Sequence, residues 1–143
     1  MDASSNSTAY RYVWVRVTHD GSADSMYVSE LQMFYGQKNI TLISNAFAAD
    51  SAPSSTVIGL QTVEASSCTP NTDFTAEVSR DGGTTFTACT LALKSTLGAS
   101  GTKYYESAST DISAQPSGTS MKYRIKTLNN KDVQIHGVAL KWS

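Results

Sequence analysis

Between Asp73 and Leu91 apolar and polar residues alternate, break off, and alternate again. Phe74, Ala76 and Val78 are interleaved with Thr75, Glu77 and Ser79, the period of a strand with one buried face. Phe86 and Ala88 alternate with Thr85 and Thr87 on the return. The break, Arg80-Asp81-Gly82-Gly83-Thr84, holds two glycines that accept positive φ and an aspartate able to bond its own backbone. This pattern predicts a β-hairpin.

The same two-residue period recurs along the chain. Tyr10 to Val17 sets Val13, Val15 and Val17 against Tyr12, Trp14 and Arg16; Tyr27 to Tyr35 sets Leu31, Met33 and Tyr35 against Glu30, Gln32 and Phe34, and Gly36 ends it. Asn39 to Asn45 predicts a short strand carrying Ile40 and Leu42, Ala46 to Ser55 a loop, and Val57 to Val63 another strand. Ser66 to Asn71 connects into the hairpin. Lys94 to Lys103, rich in Gly and Ser, reads as a long exposed loop or flap, Tyr104 to Ile112 as strand, and Gln115 to Gly118 as a turn. Met121, Tyr123 and Ile125 then alternate with Lys122, Arg124 and Lys126, giving one buried and one basic face.

Val133 and Ile135 share a phase that Val138, Leu140 and Trp142 break, and a one-residue slip near Gly137 restores it. The pattern therefore predicts a β-bulge there and a packed Trp142. No stretch carries helical spacing over about ten residues. The expectation is an all-β, antiparallel β-sandwich, jelly-roll-like, of eight or so strands over residues 10–143, after a flexible lead-in at residues 1–9.

Length and composition narrow the class. A chain of 143 residues suits a single core. Only 16% of it is charged, and the abundance of Ser, Thr, Gly and Ala fits an extracellular or virion β-protein better than a cytosolic enzyme. A net charge of −1 gives no electrostatic footprint for nucleic acid. No apolar run reaches the ~18 residues of a membrane span, and Met1 to Thr8 has neither the basic nor the apolar region of a signal peptide. Cys68 and Cys89 fit either one disulfide or, in a reducing compartment, two buried thiols. There is no C-x-x-C, and His19 and His136 are far apart, so a zinc site has no pattern behind it. His19 with Asp20 and Asp24 reads as an exposed turn or a Ca²⁺ loop.

Three resemblances add to this reading. Ser79-x-Asp81-x-Gly83-x-Thr85-Phe86 resembles the Asp-box, a hairpin signature of sialidases, other β-propeller glycosidases and assorted secreted β-proteins. The resemblance implies a structural role: the aspartate ties the turn and the aromatic anchors it to the sheet. Residues 10–36 are similar to the closing strands of a discoidin-type module. Across residues 39–143 the resemblance is broader. Asn39 to Asn45, Ala52 to Ser55, Thr72 to Thr87, Asp111 to Met121, Leu128 to Lys131 and Ile135 to Ser143 together resemble the C-terminal domain of tail-fibre and related virion proteins of tailed bacteriophages. That resemblance implies a β-sandwich on a phage particle assembled in the host cytoplasm, often a homotrimer and often the tip that meets the host.

Glu30, Glu64, Glu77, Glu106, Asp73, Asp81 and Asp111 supply carboxylates, but none stands in a catalytic signature, and His136 reads as a strand histidine. The expectation is a protein that is not an enzyme and holds no cofactor or metal. Binding has more material. Tyr104 and Tyr105 beside the Gly-Ser loop, and Tyr10, Tyr12 and Trp14 on the first strand, are candidates for a sugar surface, the Tyr12 and Trp14 face being alternatively sandwich core or a subunit interface. Lys122, Arg124 and Lys126 form a basic stripe that fits an anionic glycan, an acidic neighbour, or a solvated face protecting a sheet edge. The leading expectation is a tail-fibre-type module whose loops, Gly98 to Lys103 and Gln115 to Ser120, touch a host-surface glycan. The alternative is a capsid cement or connector that binds other virion proteins, with glycoside hydrolase a distant third.

Overall fold

The computed structural model describes residues 39–98 and 101–143. The strands read at Tyr10–Val17 and Tyr27–Tyr35, the lead-in and the His19 loop lie outside the described residues. Ten strands are present among those described: β1 (Thr41–Ile43), β2 (Phe47–Ala48), β3 (Ser55–Glu64), β4 (Phe74–Ser79), β5 (Thr87–Cys89), β6 (Leu91–Leu97), β7 (Thr102–Ser107), β8 (Thr110–Asp111), β9 (Ser120–Thr127) and β10 (Val133–Trp142). They form two antiparallel sheets. One has the order β1-β9-β4-β5 with β2 also on β9; the other has the order β10-β3-β7-β6 with β8 also on β3. The chain passes between the sheets repeatedly, so each sheet is built from distant parts of the sequence. The described residues form the expected β-sandwich.

The core is the pair of inner faces. Ile58 and Leu60 from β3 meet Phe74, Ala76 and Val78 from β4, with Met121 and Ile125 from β9 beside them. Phe74 and Tyr105 pack edge to face, with ring centroids 5.0 Å apart and planes at 72°. Each such fully buried side chain contributes about 2 kcal/mol of transfer free energy. The alternation in β9 came out as read: Met121 and Ile125 are buried, Tyr123 packs on the core, and Lys122, Arg124 and Lys126 face outward.

The bulge near Gly137 is present, with the β10–β3 register shifting between Ile135 and Gly137. It keeps Ile135, Val138, Leu140 and Trp142 packed against the core. Trp142 is tied in, because Ser143 exchanges main-chain hydrogen bonds with Ser55 at 3.0 and 3.1 Å.

The hairpin is β4 and β5, with Ala76 opposite Cys89 and Val78 opposite Thr87. That register corrects the simplest reading of the return strand. Thr87 and Cys89 share the inner phase of Ala76 and Val78, so Ala88, opposite Glu77, lies on the outer face and is exposed. Two loops also differ from expectation. The segment read as a flap is mostly strand: β6 continues to Leu97, which pairs with Thr102 on β7. Pairing satisfies the backbone of this Ser- and Thr-containing stretch in spite of its composition, with a register shift between Leu93 and Ser95.

Gln115, read as part of an exposed turn, is buried. Its Oε1 accepts the Arg80 main-chain N–H at 2.8 Å, and its Nε2 donates to Val78 O and to Thr87 Oγ1, each at 2.8 Å. Arg80 is buried too, and its guanidinium donates to the carbonyls of Pro53, Ser113, Gln115 and Pro116. A buried charge is tolerable when hydrogen bonds meet it, and here the four carbonyl acceptors come from two separate loops.

Candidate functional site: the outer face of the β1-β9-β4-β5 sheet

At the hairpin turn, Asp81 is the hub. Ser79 Oγ donates to Asp81 Oδ1 at 2.6 Å, Thr84 N–H donates to Oδ1 at 3.1 Å, and Thr85 N–H and Oγ1 reach Oδ2 at 3.1 and 2.7 Å. Burial opposes ionisation, but these donors from Ser79, Thr85 and Thr84 outweigh it and bring the Asp81 pKa down to about 2. Gly82 and Gly83 have φ of 76° and 92°, where a side chain would be strained. Ser79, Asp81, Gly83 and Thr85 thus close the turn through their own hydrogen bonds. Phe86 then lies across the outer face, close to Gly83.

The outer face has four charged residues on its strands: Lys122, Arg124 and Lys126 from β9 and Glu77 from β4. Register places Glu77 opposite Arg124, Thr75 opposite Lys126, and Ser79 opposite Lys122. Arg124 Nε is in close contact with a Glu77 carboxylate oxygen, and Lys126 Nζ lies 3.1 and 3.2 Å from the two Glu77 oxygens. Burial pushes the Glu77 carboxyl up, yet the hydrogen bonds from Arg124 and Lys126 more than offset it, and it is held below its usual range. The guanidinium also stacks on Phe86, its carbon 4.0 Å from the ring centroid. Among the described residues Lys122 has no ion-pair partner, and its stem packs beside Gly83. β9 is an interior strand, between β1 and β4. The stripe therefore has no edge to protect, which removes that explanation for its charges.

The tyrosine pair read as a candidate surface divides. Tyr105 is a correction: it is 2% exposed, its ring fills the core, and its hydroxyl donates to Glu64 Oε1 at 2.7 Å. Burial, then that bond to Glu64, raise its phenol far above the usual range. Tyr104, one residue earlier on the same strand, points the other way. It roofs Gly59 and donates its hydroxyl to Glu106 Oε2 at 2.8 Å. Tyr104 is thus on the outer face of the β10-β3-β7-β6 sheet, across the thickness of the sandwich from the basic stripe. Tyr104 and the stripe cannot belong to one site.

The carboxylates are dispersed into separate structural settings. Glu64 is held by Lys103 at 2.6 Å as well as by Tyr105 and Thr62. Asp73 accepts the Asn129 amide and the Thr69 N–H, each at 2.8 Å, and these hold its carboxyl below the ordinary range. Asp111 accepts the Ser113 N–H at 2.8 Å. His136 is exposed, its Nε2 3.3 Å from Gln134 Oε1. Cys68 and Cys89 are both free thiols. Among the described residues, no three His, Cys, Asp or Glu side chains gather as a metal-binding group. A shallow hollow of about 220 Å³ lies at the ends of β3 and β10, lined by Ser55, Ser109, Lys141 and Trp142 among others.

Sequence reasoning found the stripe but missed what organises it. Glu77 was one carboxylate among many, and only the β4–β9 register sets it opposite Arg124. Phe86 was read as a hairpin anchor alone; nothing local showed that a guanidinium stacks on it. No family model, curated protein or solved structure matches the chain.

Proposed function

We propose that this chain is a bacteriophage virion structural protein, a tail-fibre-type module that contacts the host surface. The observation that carries the reading is the Arg80 clamp. Three of the stretches that resemble phage fibre domains, Ala52 to Ser55, Thr72 to Thr87 and Asp111 to Met121, meet at one side chain. Arg80 holds Pro53 of the first and Ser113, Gln115 and Pro116 of the third. Segments that resemble one module in sequence thus share one structural centre. The broad cationic face beside them is a surface for docking on an extended partner.

A second reading, a capsid cement or connector, is favoured by the sandwich edges. Ile40, Leu42, Ile43 and Phe47 are exposed around β1 and β2, and Leu93 and Leu97 are exposed on β6 at the opposite edge. Such apolar edges suit burial against neighbouring virion subunits. Two unlike patches on opposite edges also suit a closed ring, such as the homotrimer implied by the resemblance, better than a two-fold pair.

The test is light scattering on the purified chain, followed by sedimentation with intact host cells and with particles depleted of this protein. A trimer that sediments with cells supports the fibre module. A chain that ignores cells but rebinds depleted particles supports the cement or connector, and one that does neither removes the virion reading.

A further inference from the structure

Arg124 is held by two contacts that leave its far edge unused. Its guanidinium carbon sits over the Phe86 ring, and its Nε is committed to Glu77. Neither Nη atom has a hydrogen-bond partner among the described residues, and the side chain is 26% exposed. The paired Nη donors are the fork that matches a carboxylate in plane, and stacking and ion pairing have already restricted the side chain's rotamers. Lys122 stands two residues away on the same strand, roughly 7 Å along it, and lacks an acidic partner among the described residues. Three cations face one carboxylate on this sheet, a local positive excess in a chain of net charge −1.

From this geometry we infer that Arg124 and Lys122, backed by Phe86, form a binding subsite for the carboxylate of an acidic, uronate-type glycan. The inference rests on the reading of a host-contacting module and names its ligand class. Lys126 is already engaged by Glu77 and helps to hold that carboxylate, and so acts as a positioning residue. Thr41 and Thr75, both opposite Lys126, add hydroxyls suited to sugar hydroxyls. A single-stranded nucleic acid is the less suited polyanion, because base stacking needs an open aromatic face and Arg124 covers that of Phe86.

The experiment measures binding of the intact chain to immobilised polygalacturonate, with its methyl ester and neutral dextran as uncharged counterparts. Binding to polygalacturonate alone, weakening as salt is raised, is the expected result. Arg124→Lys keeps the charge but removes the fork, and should weaken binding about tenfold. Lys122→Gln, at a position without an ion pair, should fold as the parent does and weaken binding severalfold. Equal binding to dextran, or unchanged binding in both variants, would overturn the subsite. So would equally tight binding of single-stranded DNA at the same salt. A chain that sediments with host cells but ignores polygalacturonate loses this inference and keeps the proposed function. A chain that binds polygalacturonate but neither cells nor particles keeps the subsite and loses the virion reading.

Discussion

Arg80 and Gln115, thirty-five residues apart, are joined in both directions: the Arg80 main-chain N–H donates to the Gln115 side-chain oxygen at 2.8 Å, and the Arg80 guanidinium donates to the Gln115 main-chain carbonyl. Through this pair the hairpin turn, the 113–116 loop and the loop at Pro53 become one unit. Gln115→Ala would leave the buried Arg80 N–H without its acceptor and take one donor from the Val78 carbonyl. We expect a loss of about 3 kcal/mol, since each orphaned buried group costs about 1–3 kcal/mol. Urea denaturation reads this directly, and an unchanged midpoint would mean that water replaces the amide at no cost.

Two glycines should respond unequally to alanine. A Cβ at Gly118 would lie 2.5 Å from the Arg80 carbonyl oxygen, a backbone atom fixed by the hairpin. At Gly59 the nearest atom, also at 2.5 Å, is the Tyr104 hydroxyl oxygen, the end of a side chain that can swing away. Gly118→Ala should cost about 2–3 kcal/mol and Gly59→Ala about 1 kcal/mol, within the range for overpacking. The reverse order in thermal melts would contradict the packing described for the 115–118 loop.

Acid should unfold the protein partly through Asp81. Its folded pKa is depressed from 3.8 to about 2, so the stability it contributes is full above its ordinary pKa and is lost as pH falls through the folded one. The window is therefore about pH 4 to about pH 2. Glu77, Asp73 and Asp111 are lowered as well and act in the same direction. Asp81→Asn should be less stable at neutral pH and show a shallower decline across that window. A parallel pH profile for the two proteins would remove Asp81 from the acid response.

The thiols should be distinguishable by rate. Burial pushes the Cys89 thiol up and hides it, whereas Cys68 is half-buried and donates to the Ser66 carbonyl at 3.1 Å. Alkylation of the native protein should label Cys68 first and Cys89 only on unfolding. Both thiols should be titratable in denaturant without reductant; finding neither would point to a disulfide and refute this arrangement.

Period-two alternation by itself determined the all-β class, the two faces of β9, the β4–β5 hairpin and the bulge that returns Trp142 to the core. These are local properties: a pleated strand sends neighbouring side chains to opposite faces, and glycine at positive φ marks a turn wherever it lies. The sequence reading groups Tyr104 and Tyr105 in one candidate surface, although neighbours on a strand face opposite ways. Only the tertiary structure decided that Tyr105 points inward, that Lys94 to Leu97 is strand, that Gln115 is buried, and that Glu77 and Phe86 hold Arg124. Each of those depends on a partner tens of residues away. Strand pairing and loop docking are set by the packing of the whole sandwich, and a single chain's pattern does not name the partner.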